Sequence, residues 1–167
     1  MTWATERLDA LKAGTATPPP IVETLRLGLL DDWGEGWVQK SWRPSPELAT
    51  ADGSLFGGYL AALADQVLAF AAMTVVPHDR LYRTVNLQLN FLRVARDGPL
   101  SIEAKVVART RQLITVHAEF RREDGALIAD ATAQQIVMAF ERWPAERDAV
   151  DGLRQAGPKP RPSTSSG

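Results

Sequence analysis

Cysteine is missing from all 167 residues, which excludes a disulfide framework, a thiolate metal site and a cysteine nucleophile. Histidine occurs only at positions 78 and 117, and neither sits in a His/carboxylate cluster with metal-ligand spacing, so no metal is expected. A Gly-x-Ser-x-Gly elbow is also lacking, which removes the usual serine nucleophile. With 19 basic and 20 acidic side chains the net charge is −1, which leaves no basic field for a nucleic-acid partner. The opening MTWATERLDALKAG carries acids and no long apolar core, unlike a signal peptide. Tyr59 to Val76 is almost wholly apolar, but Asp65 and Gln66 fall near its middle. A carboxylate there would be costly inside a bilayer, whereas a buried helix of a globular core tolerates the composition. These absences predict a cytoplasmic globular domain with no membrane or nucleic-acid partner.

What is present is ordinary in amount and specific in order. Hydrophobic residues make up 45% and charged residues 23%, enough for one domain with a real core. An amphipathic helix is expected over 3–13, then a break at Pro18-Pro19-Pro20. Residues 21–30 suit a short helix or loop. Gly34 to Arg43 reads as a strand, with Trp37, Gln39, Ser41 and Arg43 on one face and Val38, Lys40 and Trp42 on the other. Gly57-Gly58 opens the long helix, which is predicted to end near Pro77. Four strands follow. Thr84–Val94 alternates Val85, Leu87, Leu89 and Phe91 against Asn86, Gln88 and Asn90. Ser101–Arg109, Leu113–Arg121 and Ala126–Phe140 complete the set, the last two joined by the hairpin signal Glu123-Asp124-Gly125. Short connections make the run antiparallel, and a sheet wrapping one apolar helix is the α+β hotdog layout. The expected organisation is an N-terminal helical or loop extension over 1–30, a hotdog domain over 31–143 and a disordered Pro- and Ser-rich tail over 144–167.

Three stretches carry a resemblance: GGYLAALAD at 57–65, TVNLQLNFLRVAR at 84–96 and DGALIADATAQQIV at 124–137. In order and separation the segment from Gly34 to Phe140 resembles the PaaI-like acyl-CoA thioesterases of the hotdog superfamily. The chain departs from that pattern at two places, with Thr50 where the family has Asn or Gln and Phe56 where it has His. The Phe56-Gly57-Gly58 opening also suits larger acyl-CoA thioesterases. In those, an Asp of this helix, a Thr on a strand and a late-strand Gln share the catalysis, which makes Gln134 or Gln135 the counterpart. Each resemblance implies an acyl-CoA substrate and no cofactor beyond the coenzyme A of the substrate.

The residues support that chemistry. Asp65 in a helix of Ala, Leu, Val, Phe and Met is either a structural partner of Arg83 or Arg93 or a carboxylate held at a cleft. As a catalytic group it acts as general base on water or attacks directly. Gly57 and Gly58 lack Cβ atoms, so a thioester oxygen can approach their N–H groups at the positive end of the helix. Asp65 lies seven residues after Gly58, roughly 10 Å along the axis, too far for one thioester to touch both groups in one chain. Two helices antiparallel about a two-fold axis solve this, so a homodimer or a homotetramer built as a dimer of dimers is expected. The resemblance further implies that Thr84 orients Asp65 or the water. Thr50 is a shorter substitute for the usual amide. Phe56 either lines an acyl pocket or staples the helix entry onto the core. Asn90 is a further substrate-binding candidate, and Arg93, Arg96, Arg109 and Arg111 are candidates for the coenzyme A phosphates. The alternative is a non-catalytic acyl-CoA-binding or regulatory hotdog protein, favoured by the two departures at Thr50 and Phe56.

Overall fold

The computed structural model describes residues 1–139. The 144–167 tail expectation lies outside them. Helix α1 spans Trp3–Lys12 and is closed at its start by a capping box between Thr2 and Thr5. Helix α2, Pro20–Thr24, takes its first residue from the proline run, where a missing N–H is harmless. Strand β1 covers Asp32–Gly34 and β2 Trp37–Trp42. The expected strand over 34–43 is β2, starting three residues later, and β1 precedes it across a hairpin turn at Glu35-Gly36 with a positive φ of 81° at Gly36.

Helix α3, Gly57–Met73, stops before the predicted Pro77. Thr74 ends it: its Oγ1 donates to the Ala71 carbonyl at 2.7 Å and accepts from the Gly36 amide at 2.8 Å. Strands β3 (Arg80–Phe91), β4 (Leu100–Arg109), β5 (Leu113–Arg122) and β6 (Leu127–Ala139) follow. β3 starts four residues earlier than expected and ends sooner, because the Leu92 and Arg93 amides both turn onto the Ile128 carbonyl at 2.8 and 2.9 Å.

The six strands form one antiparallel sheet in the order β1-β2-β4-β5-β6-β3. Its inner face is lined by Ile102, Ala104, Ile114, Val116, Ala118, Phe120, Ala129, Ala131 and Ala133, all without measurable exposure. The alanines of β6 let α3 come close to the sheet. Leu63, Ala64, Val67, Leu68 and Ala71 bury the sheet-facing side of α3. Trp3, Ala4, Leu8, Val22 and Leu27 join the same core, so the N-terminal extension packs on the domain.

One inward position is a cation. Lys40 shares the face of Val38 and Trp42, as strand parity requires, and is 1% exposed. Its Nζ donates to the Leu29 carbonyl at 3.1 Å and to Gln66 Oε1 at 3.0 Å, while Gln66 Nε2 donates to the Gly28 carbonyl at 2.9 Å. Burial pushes the Lys40 amine down from 10.5 to about 8, against the opposing pull of Asp31.

Candidate active site

Three side chains from three elements meet where α3 crosses β3 and β6. Thr84 Oγ1 lies 3.1 Å from Asp65 Oδ1 and 2.9 Å from Gln135 Oε1. A hydroxyl has one proton and cannot donate twice. Turning the Gln135 amide over satisfies the chain, with Nε2 donating to Thr84 and Thr84 donating to Asp65. Either way one amide atom of the fully buried Gln135 is left without a protein partner; as placed it is Nε2. Such an atom is uncommon in a native core.

Strand parity by itself sets Thr84 on the face of Asn86, Gln88 and Asn90, away from α3. A bulge overrides it. Thr84 pairs with Gln135 and Asn86 with the adjacent Gln134, so Val85 has no opposite number. The extra residue turns Thr84 inward while Asn86 stays outward. The same register singles out Gln135, since Gln134 is exposed.

The expectation that α3 is buried on nearly all sides is corrected. Ala62, Gln66, Ala69 and Phe70 are only partly covered and Asp65 is exposed, because the sheet curves round the opposite side of the helix. Asp65 accepts from the Thr84 hydroxyl at 3.1 Å, while Arg93 donates to the Leu127 carbonyl instead. Desolvation, with a smaller contribution from the Asp65 charge, pushes the nearby Tyr82 phenol up.

At the other end of the uncovered strip, α3 begins without a side-chain cap on its first amides. A Cβ on Gly57 would come 3.1 Å from the Phe91 ring, and one on Gly58 would come 2.5 Å from the Phe56 ring. The two glycines therefore lie against two aromatic rings. Phe56 is 60% exposed and Phe91 59%, so Phe56 does not staple the helix entry into its own core.

The remaining candidates are not gathered here. Thr50 Oγ1 is tied into the turn before α3, 2.5 Å from Asp52 Oδ1, 2.7 Å from Ser54 Oγ and 3.1 Å from the Ser54 carbonyl. The hydroxyls of Ser54 and Thr50 hold the Asp52 carboxyl well below the usual carboxylate range. Asn90 Nδ2 donates to Asp130 on the outer face at 2.7 Å. Arg93 donates to the Leu127 carbonyl at 2.7 Å and Arg96 to the Asp52 carbonyl at 2.8 Å. Arg109 and Arg111 join Arg80 around a polar cavity of about 580 Å³ at the opposite end of β4. Within one chain the four arginines do not form a single phosphate site. Lys40 carries a signal in the sequence, as a polar residue on the otherwise apolar strand face of Val38 and Trp42.

A six-stranded antiparallel sheet round a central helix defines a hotdog protein. The family model described as the Thioesterase superfamily matches residues 52–129. A crystal structure of a phenylacetic acid degradation-related protein from Ralstonia eutropha JMP134, a thioesterase candidate by its description, is similar with a TM-score of 0.70 and 27% identity, over 77% of this chain and 98% of that one. A thioesterase family protein from Silicibacter pomeroyi shares the fold with a TM-score of 0.69 and 24% identity, over 81% of this chain and 98% of that one. A protein of Saccharolobus solfataricus, provisionally named an esterase, is 33% identical over 93 residues, 55% of this chain. The chain spans only 65% of that relative's length. These findings show that the chain has the hotdog fold and is similar, over residues 52–129, to the Thioesterase superfamily and to thioesterases related to the PaaI type. Among the described residues no helix is long and apolar enough to cross a membrane.

Proposed function

We propose that the protein hydrolyses an acyl-CoA thioester with Asp65 as general base on water. The observation that carries this reading is the Asp65–Thr84–Gln135 chain of contacts. A water at the unpaired amide atom of Gln135 would gain a partner, and Asp65 would accept its proton. Thr84 is the positioning residue, holding the carboxylate through its hydroxyl. Direct attack by Asp65 is the other route open to the same geometry.

The thioester oxygen takes its stabilisation from a second copy. β3 is an edge strand, and Val85, Leu87 and Phe91 are all exposed on it. An unpaired edge of that kind is a template for another strand. Two β3 strands antiparallel about a two-fold axis at Leu87 bring Thr84 to the Asn90–Phe91 end of the second copy's β3. Since Phe91 lies against Gly57, the partner subunit's Gly57 and Gly58 arrive beside Asp65. Their uncapped amides then receive the developing oxyanion. Homodimerisation is thus part of the reading. The cytoplasm is the compartment proposed for it.

The test is release of free thiol from a panel of acyl-CoAs. Wild type should turn over at least one of them, and Asp65→Asn should lower kcat by about 10²-fold or more, as loss of a general base does. Wild-type rates in purified Asp65→Asn would reject the assignment. Coenzyme A binding with no turnover in either form would favour the non-catalytic reading, which the commitment of Thr50 to its own turn supports.

A further inference from the structure

A groove of about 690 Å³ runs between the N-terminal extension, α3 and the first half of β3. That volume lies inside the roughly 300–1,000 Å³ range of small-molecule sites. Its walls are largely apolar: Trp3, Leu11, Pro18, Phe70, Met73 and Leu81. The Trp3 Nε1 donates to the Arg80 carbonyl at 3.0 Å, which fixes the indole against the start of β3. Arg7 closes the roof by donating to the Thr17 carbonyl at 2.5 Å. The last lining residue is Thr84, the hydroxyl that touches Asp65. The groove therefore starts at the proposed reacting centre.

We infer that this groove receives the acyl chain, and that the N-terminal extension makes the protein selective for an aliphatic chain of about eight to ten carbons; this rests on the thioesterase reading above. The length follows from the elements. Thr84 to Leu81 is three strand residues, about 10 Å. Asp65 to Met73 is eight helical residues, about 12 Å. An extended chain gains about 1.2 Å per bond, since a residue of three backbone bonds spans at most ~3.6 Å. Walls built mostly of aliphatic and aromatic carbon leave a polar or charged acyl group poorly satisfied.

The experiment has two arms on the full chain. In the first, calorimetry on Asp65→Asn compares coenzyme A with decanoyl-CoA. Decanoyl-CoA should bind at least about ten-fold more tightly, a factor that burial of two methylenes alone would supply. In the second, kcat/KM is measured from butanoyl- to hexadecanoyl-CoA. The optimum should fall at octanoyl or decanoyl, move shorter in Phe70→Trp and move longer in Phe70→Ala. Tight decanoyl-CoA binding without turnover in wild type would reject the proposed hydrolysis and keep the groove assignment. Equal affinity for coenzyme A and decanoyl-CoA, as expected if a second copy of the chain plugs the groove, overturns the assignment. So does an optimum unmoved in both Phe70 variants once they are shown to be folded.

Discussion

Replacing Lys40 by Met separates the two effects of a buried amine, and the pH dependence of stability reads them out. In the folded protein burial lowers the Lys40 pKa to about 8, while the unfolded chain keeps the ordinary 10.5. At neutral pH both states hold the proton, and the native state bears the desolvation penalty. Between about 8 and 10.5 the native amine has lost its proton and the unfolded one has not. The unfolded state then binds more protons, so stability rises with pH. Over that window the gain from this group approaches roughly 3 kcal/mol and then levels off. Met matches the length of Lys without its charge but strands the Leu29 carbonyl and Gln66 Oε1, each a loss of about 1–3 kcal/mol. The offset between the two proteins is therefore a difference of comparable terms, whereas the difference in slope belongs to Lys40 alone. Urea unfolding of wild type and Lys40→Met, stepped from neutral pH to above 10.5, should show curves that diverge in wild type's favour above about pH 8. Parallel curves across that window would show that the Lys40 amine is not depressed by burial.

Two further outcomes follow from the site and the sheet edge. Thr84→Val should lower kcat by about ten- to a hundred-fold with KM little changed, and Thr84→Ser should restore most of the rate, since loss of positioning rather than of the base is at issue; equal rates in Val and wild type would remove Thr84 from the site. Leu87→Lys puts two ammoniums together at the proposed β3–β3 axis, where like charges oppose pairing. Sedimentation should show monomer and the thiol-release assay a parallel loss of rate, and a fully active monomer would sink the shared-site geometry.

Much of this architecture was legible along the chain because it rests on local periodicity. The alternation of β4, β5 and β6, the turn at Glu123-Asp124-Gly125 and the apolar helix after Gly57-Gly58 all depend on neighbours within a few residues. So does the spacing of Asp65 from the two glycines. Parity also marked Lys40 as a polar interruption of an apolar face, whereas the resemblance left Gln134 and Gln135 as alternatives. Tertiary pairing decided the rest. The bulge at Val85 arises only in the register of β3 against β6, and it alone turns Thr84 toward Asp65. Exposure of Asp65 depends on which side of α3 the sheet covers, which the composition of the helix does not encode. The scattering of Arg93, Arg96, Arg109 and Arg111 follows from strand length, which carries residues near the two ends of β4 far apart. The N-terminal extension carries no motif, and its groove exists because α1 and the proline run fold back over Phe70 and Leu81, far away in sequence. Side-chain type and spacing set each element; contacts between distant segments chose which faces meet.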